Sequence, residues 1–302
     1  MTTIGVVGLG AMGGRIAGRL LAQGNIVQGT NRTRAKANVL IAQGLVWCDN
    51  PRTTAHGSDV VISMVTNGDA LDAVTQGPDG ILAGLAPGSV YIDMSTVSPQ
   101  TSRTLAERAA LRGAAMLSAP VSGSVPAAAE GSLAIIAGGP ADAFERVEPI
   151  LRQLGSTVTL VGDTGHALLL KLAINISLAV QMLAFSEGLL LAELGGLDRT
   201  VALQVMTHSP IGSPTLQARA PLLRELPDNA WFDVAMMQKD LRLALDTGRD
   251  EGLPMPSTTV ADQMLSTAFA AGYEHRDIAV LFRTLSDMVA VPPGRTLGSV
   301  TA

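Results

Sequence analysis

The chain has 302 residues, a length that suits two domains better than one. Hydrophobic residues make up 47% of it and charged residues only 16%, a composition that excludes an intrinsically disordered chain. The net charge of −5 argues against a nucleic-acid partner, and the single cysteine, Cys48, excludes an intrachain disulfide.

Short apolar runs typical of strands alternate with helical segments through the first half of the chain. The predicted strands are Ile4–Val7, Ile26–Thr30, Val60–Val65, Val90–Asp93, Ala115–Leu117, Ala134–Ala137 and Thr157–Val161. The predicted helices between them are Met12–Gln23, Arg34–Ala42, Pro99–Arg112 and Ala141–Leu154. Continuous apolar strands separated by helices predict a doubly wound parallel sheet in an α/β domain over residues 1–162.

The second half of the chain shows no convincing strand. A long helix is predicted over Gly165–Leu194, and shorter ones over Thr200–His208, Pro214–Leu223, Asp233–Glu251, Pro256–Ala271 and Asp277–Met288. We therefore expect an all-α domain over residues 163–302, joined to the first by a long inter-domain helix. The tail Val291–Ala302, with its prolines and glycine, is predicted to be loose.

The segment Ala167–Leu194 is apolar enough to suggest a membrane span, but it carries Lys171 and Glu187. Each charge at membrane depth costs about 2.5–3.5 kcal/mol. We therefore predict a helix buried between protein surfaces, and no membrane association. The N-terminal sequence lacks the charged start and long apolar run of a signal peptide, so we expect a cytoplasmic protein.

A glycine-rich loop stands between the first predicted strand and the first predicted helix. Its residues are Gly8, Leu9, Gly10, Ala11, Met12 and Gly13, which fit the pattern G-x-G-x-x-G. In this context the glycines allow a tight turn, close approach to a pyrophosphate and close packing of helix on strand. The loop predicts a Rossmann-type dinucleotide site; the alternative is a purely structural turn.

The second predicted strand runs into Asn31, Arg32 and Thr33. An NAD-binding chain usually has an acidic residue here for the ribose hydroxyls. Neutral Asn31 followed by Arg32 favours a 2′-phosphate, which a guanidinium would pair with. We therefore expect NADP(H) as the cofactor, with NAD(H) as the alternative. An exposed turn with an incidental arginine is the other interpretation of this segment.

Several motifs in order along the chain make it resemble the β-hydroxyacid dehydrogenase family, which includes 3-hydroxyisobutyrate dehydrogenases and several semialdehyde reductases. The motifs are Val7–Gly13, Asp93–Pro99, Ala119–Ser124 and Gly162–Gly165, then Lys171 and Asn175, then Lys239 with Asp240. The resemblance covers nearly the whole chain. It is more specific than the glycine-rich loop alone.

The resemblance implies a role for each matching residue. Lys171 matches the catalytic lysine, and Asn175 matches an asparagine that helps to hold the substrate. Ser122 and Gly123 match a segment that binds the substrate carboxylate, and Ser124 stands where the family often has a second glycine. Cofactor contacts are implied for Val65, Thr66 and Thr96, and Lys239 matches a lysine near the nicotinamide. From the residues alone, Lys239 could instead pair with Asp240 or Glu251 on a solvated face, and Ser122–Ser124 could be an ordinary loop.

Hydride transfer to a carbonyl requires a proton donor for the developing oxygen charge. Lys171 suits this role because burial in an apolar helix lowers the pKa of a lysine. Lys171 and Asn175 are four residues apart, which places them on one face of a helix. A helix lysine with no catalytic role is the alternative.

We therefore predict an NADP(H)-dependent oxidoreductase that interconverts a small β-hydroxy acid and its semialdehyde or keto form. An imine reductase on the same architecture is one alternative, although such enzymes usually have Asp or Tyr in place of Lys171. A cofactor-binding regulatory protein without turnover is another. The spacing of the four histidines and the cysteine predicts no metal site. Long apolar helices predict a homodimer or homotetramer.

Overall fold

The structure is a computed structural model that describes residues 2–289, and the tail Val291–Ala302 lies outside the described residues. The chain divides into two compact units, Met1–Leu172 and Ala173–Ala302. The division falls inside the long helix rather than at residue 163. The helix starts within the first unit because Leu168, in its second turn, is fully buried in a hydrophobic cluster of that unit.

The first unit contains the predicted parallel sheet. Its six strands are β1 (Thr3–Val7), β2 (Ile26–Thr30), β3 (Val46–Trp47), β4 (Val60–Ser63), β5 (Val90–Asp93) and β6 (Ala115–Ser118). They lie in the order β3-β2-β1-β4-β5-β6, and every neighbouring pair is parallel. The strand order reverses between β1 and β4, the point at which open α/β sheets bind ligands beyond the carboxyl ends of their strands.

The last predicted strands do not join that sheet. They are β8 (Leu133–Ala137) and β9 (Gly155–Leu160), which form a separate three-stranded sheet with β7 (Val121–Ser122). The sequence placed β8 and β9 with the strands of the doubly wound sheet; they are parallel to each other in the separate sheet, where β7, which was not predicted, runs antiparallel to β8. Pro120, which has no N–H to donate to a ladder, separates β7 from β6.

Helices cover both faces of the parallel sheet, as expected for a doubly wound domain. Those of the first unit are α1 (Ala11–Ala22), α2 (Asn38–Ala42), α3 (Pro51–Ala55), α4 (Gly68–Thr75), α5 (Ile81–Gly84), α6 (Pro99–Ala110), α7 (Val125–Glu130) and α8 (Ala141–Leu154). The short helices α3, α4, α5 and α7 and the two-residue strand β3 were not predicted, because so few residues show no periodicity. Two hydrophobic clusters, one containing Ile16 and Ile92 and the other Val61 and Tyr91, form the core.

The regular elements of the second unit are all helices within its described residues, as predicted. After α9 (Thr164–Leu194) come α10 (Arg199–His208), α11 (Pro214–Arg219), α12 (Val234–Asp250), α13 (Pro256–Ala270) and α14 (Leu281–Asp287). The predicted helix over 214–223 ends in a 3₁₀ turn, and the one over 277–288 begins with one. Its core is built from aliphatic side chains and methionines such as Met182, Met237 and Leu241, with Phe282 among them.

The helix α9 is apolar around most of its circumference. Its 31 residues include an 18-residue window of mean hydropathy 1.9, and 39% of that window is buried. By length and composition alone it could cross a membrane. The core helix of a soluble protein meets the same criterion, since a helix that is apolar all round also occurs in protein interiors.

Candidate functional site

The glycine-rich loop has the geometry that its sequence predicts. Gly8 has φ +95°, and its N–H donates to the Thr30 carbonyl at 3.0 Å. A side chain at Gly8 would collide with the Met64 carbonyl, and one at Gly13 would collide with the Gly8 carbonyl. A Cβ at Gly10 would meet nothing within 4 Å. The loop is therefore tightly packed at its two ends and open at its centre, where a pyrophosphate requires close approach to the backbone.

Helix α1 begins directly after this opening. Gly10 is its N-cap residue, no side chain caps it, and its first turn contains no acidic residue. Its first N–H groups and the positive end of the helix dipole therefore remain available to an anion. Leu9 is buried, Met12 is half-buried, and Gly10 and Ala11 are exposed. These residues fit a dinucleotide diphosphate.

Asn31 connects the end of β2 to the glycine-rich loop. Its Oδ1 accepts the Leu9 N–H at 3.1 Å, and its Nδ2 donates to the Thr33 carbonyl at 3.0 Å. Arg32 and Thr33 beside it are exposed. The sequence indicated only that neutral Asn31 stands where NAD-binding chains usually have an acidic residue. The structure shows that its amide holds the loop in place.

A buried polar network, which the sequence did not predict, joins the loops after β4 and β5. The Asp93 carboxylate is fully buried and accepts the hydroxyls of Ser63 at 2.6 Å and Ser95 at 2.7 Å. The Ser63 hydroxyl also lies 2.8 Å from the Tyr91 hydroxyl, and the Val65 N–H donates to Ser95 Oγ at 3.0 Å. The only sequence signal was an Asp at the end of an otherwise apolar strand. Burial, followed by the nearby charge of Asp93, raises the pKa of Tyr91 well above its usual value.

Three loops with predicted cofactor residues meet at one edge of the sheet. Val7, Ser63 and Asp93 are paired across β1, β4 and β5, so Gly8, Val65–Thr66 and Thr96 follow the carboxyl ends of adjacent strands. Thr66 is exposed, and Val65 and Thr96 are half-buried. The structure therefore brings together residues that are separated by up to 88 positions in the sequence.

The predicted carboxylate-binding segment begins at the last residue of β7 in the first unit. Gly123 has φ +131° and is exposed, while Ser122 and Ser124 are half-buried. Ser124 is the N-cap residue of α7, and its hydroxyl does not cap that helix. The hydroxyl is therefore not required by the helix itself. Helix α7 packs against α1, so this segment is supported by the helix that carries the cofactor loop.

Lys171 is half-buried in α9, on the part of that helix that belongs to the first unit. The start of α9 is held by a reciprocal capping pair. Asp163 Oδ1 accepts the His166 N–H at 2.9 Å, and His166 Nδ1 accepts the Asp163 N–H at 3.2 Å. This hydrogen bond from the His166 backbone is the largest cause of the lowered pKa of Asp163, and Arg103 contributes from 3.9 Å. The helix start that leads to Lys171 is thus fixed by side chains.

In the second unit, Asn175, Asp240 and Lys239 form a connected polar group. Asn175 is 1% exposed, and its Nδ2 donates to Asp240 Oδ2 at 2.5 Å. Lys239 Nζ lies 2.8 Å from Asp240 Oδ1, and the Asp240 side chain is 2% exposed. The sequence left open a pairing of Lys239 with Asp240 on a solvated face. The pairing is present, but Asp240 is buried and Lys239 is half-buried, so the pair does not lie on a fully solvated face.

Comparison with known proteins agrees with this geometry. A family model for the NAD-binding domain of 6-phosphogluconate dehydrogenase matches residues 3–162, and one for the NAD-binding of NADP-dependent 3-hydroxyisobutyrate dehydrogenase matches residues 165–285. A 3-hydroxyisobutyrate dehydrogenase of Pseudomonas aeruginosa is 35% identical, over 92% of this chain and 96% of its own. A 2-(hydroxymethyl)glutarate dehydrogenase of Eubacterium barkeri is 32% identical, over 95% of this chain and 96% of its own.

Solved structures give the same result. The 3-hydroxyisobutyrate dehydrogenase of Mycobacterium tuberculosis is 29% identical with a TM-score of 0.83, covering 94% of this chain and 99% of its own. An imine reductase of Myxococcus stipitatus is 20% identical with a TM-score of 0.64, and the match covers 94% of this chain and 99% of that one. It shares the fold. The Rossmann-type unit, the helical unit and the full-length similarity lead to one conclusion: this chain belongs to the β-hydroxyacid dehydrogenase family and is an NAD(P)-dependent oxidoreductase acting on CH–OH groups.

Proposed function

We propose that this oxidoreductase uses NADP(H) to interconvert a small β-hydroxy acid and its semialdehyde or keto form, with Lys171 as the general acid and base. The observation that carries the proposal is the position of Lys171. It is half-buried in the first unit. In the same unit, the glycine-rich loop and the loops at Val65 and Thr96 lie next to one another at the carboxyl ends of adjacent strands.

The nicotinamide supplies or accepts the hydride when it is bound. Lys171 accounts for the proton: its ammonium donates to the carbonyl oxygen during reduction, and its amine accepts the hydroxyl proton during oxidation. Positioned proton transfer of this kind contributes about 10²–10⁴-fold to a rate. The hydroxyls of Ser122 and Ser124 and the backbone N–H groups around Gly123 are the donors that would hold a substrate carboxylate.

The preference for NADP(H) rests on the end of β2. Residues 26–34 contain no carboxylate, and they include Arg32 and Arg34. A carboxylate there would repel a 2′-phosphate, whereas a guanidinium attracts it and can donate two hydrogen bonds to it. The amide of Asn31 is neutral and is already engaged with Leu9 and Thr33.

A substrate panel tests the proposal directly. NADPH and NADH oxidation are followed with small semialdehydes and keto acids, with a cyclic imine as the arm that tests imine reduction. Lys171→Ala should lose about 10²–10⁴-fold in kcat while still binding NADPH. Leu170→Ala, at the exposed neighbouring position in α9, is the matched control and should retain full activity. Unchanged turnover in Lys171→Ala would remove the lysine from the mechanism. NADPH binding without turnover on any substrate would instead indicate a regulatory protein.

We also infer that the second unit assembles with copies of itself. Four apolar side chains in and after α9 are well exposed, namely Leu191, Leu197, Val201 and Val205. Val201 and Val205 are one turn apart on α10, so they share a face. Light scattering should report a dimer or tetramer that Val201→Asp weakens; a monomer at every concentration would refute the assembly.

A further inference from the structure

Trp47 forms a fixed platform beside the end of β2. Its ring is half-buried and packs against the main core cluster of the first unit. Its Nε1 donates to Asp49 Oδ1 at 3.0 Å, which fixes the orientation of the ring. The Arg34 guanidinium carbon lies 5.3 Å from the ring centroid, within the range of a cation–π contact.

The strand pairing places this platform near the site of the adenosine ribose. Trp47 in β3 is paired with Gly29 in β2, and the Cys48 N–H donates to the Gly29 carbonyl at 2.9 Å. Arg34 follows the end of β2 by four residues and starts a short 3₁₀ turn. In folds of this type the second strand ends at the adenosine ribose, where the 2′-hydroxyl or 2′-phosphate is recognised.

A cation–π contact engages the charge of a guanidinium with the ring and leaves N–H donors available for a ligand. Arginine has five N–H donors in a planar fork, more than one ring contact can occupy. Among residues 2–289, no hydrogen bond or ion pair engages the Arg34 guanidinium. An exposed arginine otherwise loses considerable rotamer entropy when it binds a ligand. The Trp47 ring restricts that freedom before the ligand arrives.

We propose that Arg34 is a specificity-determining residue that binds the 2′-phosphate of NADP(H), with Trp47 as its positioning residue. This inference rests on the proposed NADP(H) preference and assigns the contact with the 2′-phosphate to Arg34, the arginine that a ring holds in place. Arg32 makes no ring contact within the described part of the chain, so the two arginines differ in how they are held.

The test measures the Kd values of NADPH and NADH by fluorescence, together with inhibition by 2′,5′-ADP and 5′-AMP. Arg34→Ala should raise the Kd of NADPH about tenfold, the equivalent of one charge-assisted hydrogen bond, and leave that of NADH within about twofold. Trp47→Leu should raise the NADPH value about threefold, and Trp47→Phe, which retains a ring, should restore it. Arg112→Ala, an exposed arginine just after α6 and before β6, is the matched control and should change neither.

Three results would contradict this inference, and only the first also contradicts the cofactor preference. A wild-type protein that binds NADPH and NADH equally well overturns both. A wild type that prefers NADPH, with an unchanged ratio in Arg34→Ala, overturns only the role of Arg34. Equal weakening of both cofactors in Arg34→Ala would also overturn it, because a residue that only maintains the fold cannot distinguish a 2′-phosphate from a 2′-hydroxyl.

Discussion

The substitution Asp240→Asn tests the buried polar group of the second unit. Asp240 accepts from Asn175 at 2.5 Å and lies 2.8 Å from Lys239 Nζ, and its side chain is almost completely buried. Asparagine has nearly the same shape but no charge, and it offers one acceptor oxygen where aspartate offers two. The substitution therefore leaves the packing in place and removes both the ion pair and one acceptor.

The magnitude follows from these contacts. The hydrogen bond from Asn175 to the charged carboxylate contributes about 1.5–3 kcal/mol, of which a neutral acceptor retains about 1 kcal/mol, and the ion pair with Lys239 is lost as well. The Lys239 side chain is 20% exposed, so water solvates part of the charge left behind. We therefore expect a loss of about 2–3 kcal/mol, somewhat less than the 3–5 kcal/mol typical of breaking a fully buried pair.

Urea unfolding followed by tryptophan fluorescence measures this loss. The chain has two tryptophans, so a Trp47→Phe background leaves Trp231 as the only reporter, and it packs against the core of the second unit. With a slope of about 2–3 kcal/mol/M, the midpoint should fall by about 1 M. Asp246→Asn on the same helix is the matched control, because Asp246 pairs with Arg249 at the surface. It should change the unfolding free energy by less than about 0.5 kcal/mol.

Equal unfolding midpoints for Asp240→Asn and Asp246→Asn would refute this reasoning. A second readout concerns Asn175. Without the Asp240 carboxylate its amide is less firmly oriented, so the KM of a carboxylate substrate should rise more than the KM of the cofactor. A change in neither KM would show that Asp240 has no influence on Asn175 during turnover.

Three further predictions concern the first unit. Tyr91→Phe should cost about 0.5–1.5 kcal/mol at neutral pH. Because the folded-state pKa of Tyr91 is raised, the free energy of unfolding of the wild type should fall as pH rises above about 10, by up to ~1.4 kcal/mol per pH unit. The fall should be less steep in Tyr91→Phe. The same pH dependence in both proteins would contradict this. Gly13→Ala should lower the Tm, since its Cβ would collide with the Gly8 carbonyl, whereas Gly10→Ala should keep the Tm and weaken NADPH binding. Equal effects of the two on Tm would be inconsistent with the loop geometry. Asn31→Asp keeps the acceptor for the Leu9 N–H but adds a negative charge, so the NADPH to NADH affinity ratio should fall about tenfold; an unchanged ratio would place the 2′-phosphate elsewhere.

Local patterns predicted much of this fold. The bounds of β2, β5 and α8 agree with the sequence prediction, because each is a regular run closed by clear boundary residues. The glycine-rich loop was equally clear, since a G-x-G-x-x-G pattern between a strand and a helix has few other uses. These signals all lie within short segments of the chain.

Features that depend on pairing between distant segments could not be predicted. The hydrogen bond of Ser63 to Asp93 exists because β4 and β5 are parallel neighbours in a register that pairs these two residues. The contact of Arg34 with Trp47 likewise depends on β3, a strand too short to recognise in sequence. The antiparallel pairing of β7 with β8 could not be inferred from the sequence either, because an apolar run looks the same in a parallel and in an antiparallel strand.

The network around Asp93 also sets the dynamics of the cofactor edge. Val65 lies in a loop, where amide protons normally exchange quickly with solvent. Its N–H, however, donates to Ser95 Oγ, which in turn donates to a carboxylate with no exposed surface. Opening this loop therefore requires a buried charge to lose its hydrogen bonds, so the Val65 amide should exchange almost as slowly as those of the strands. The loops after β4 and β5 are thus rigid in the absence of a cofactor, and cofactor binding would not have to order them.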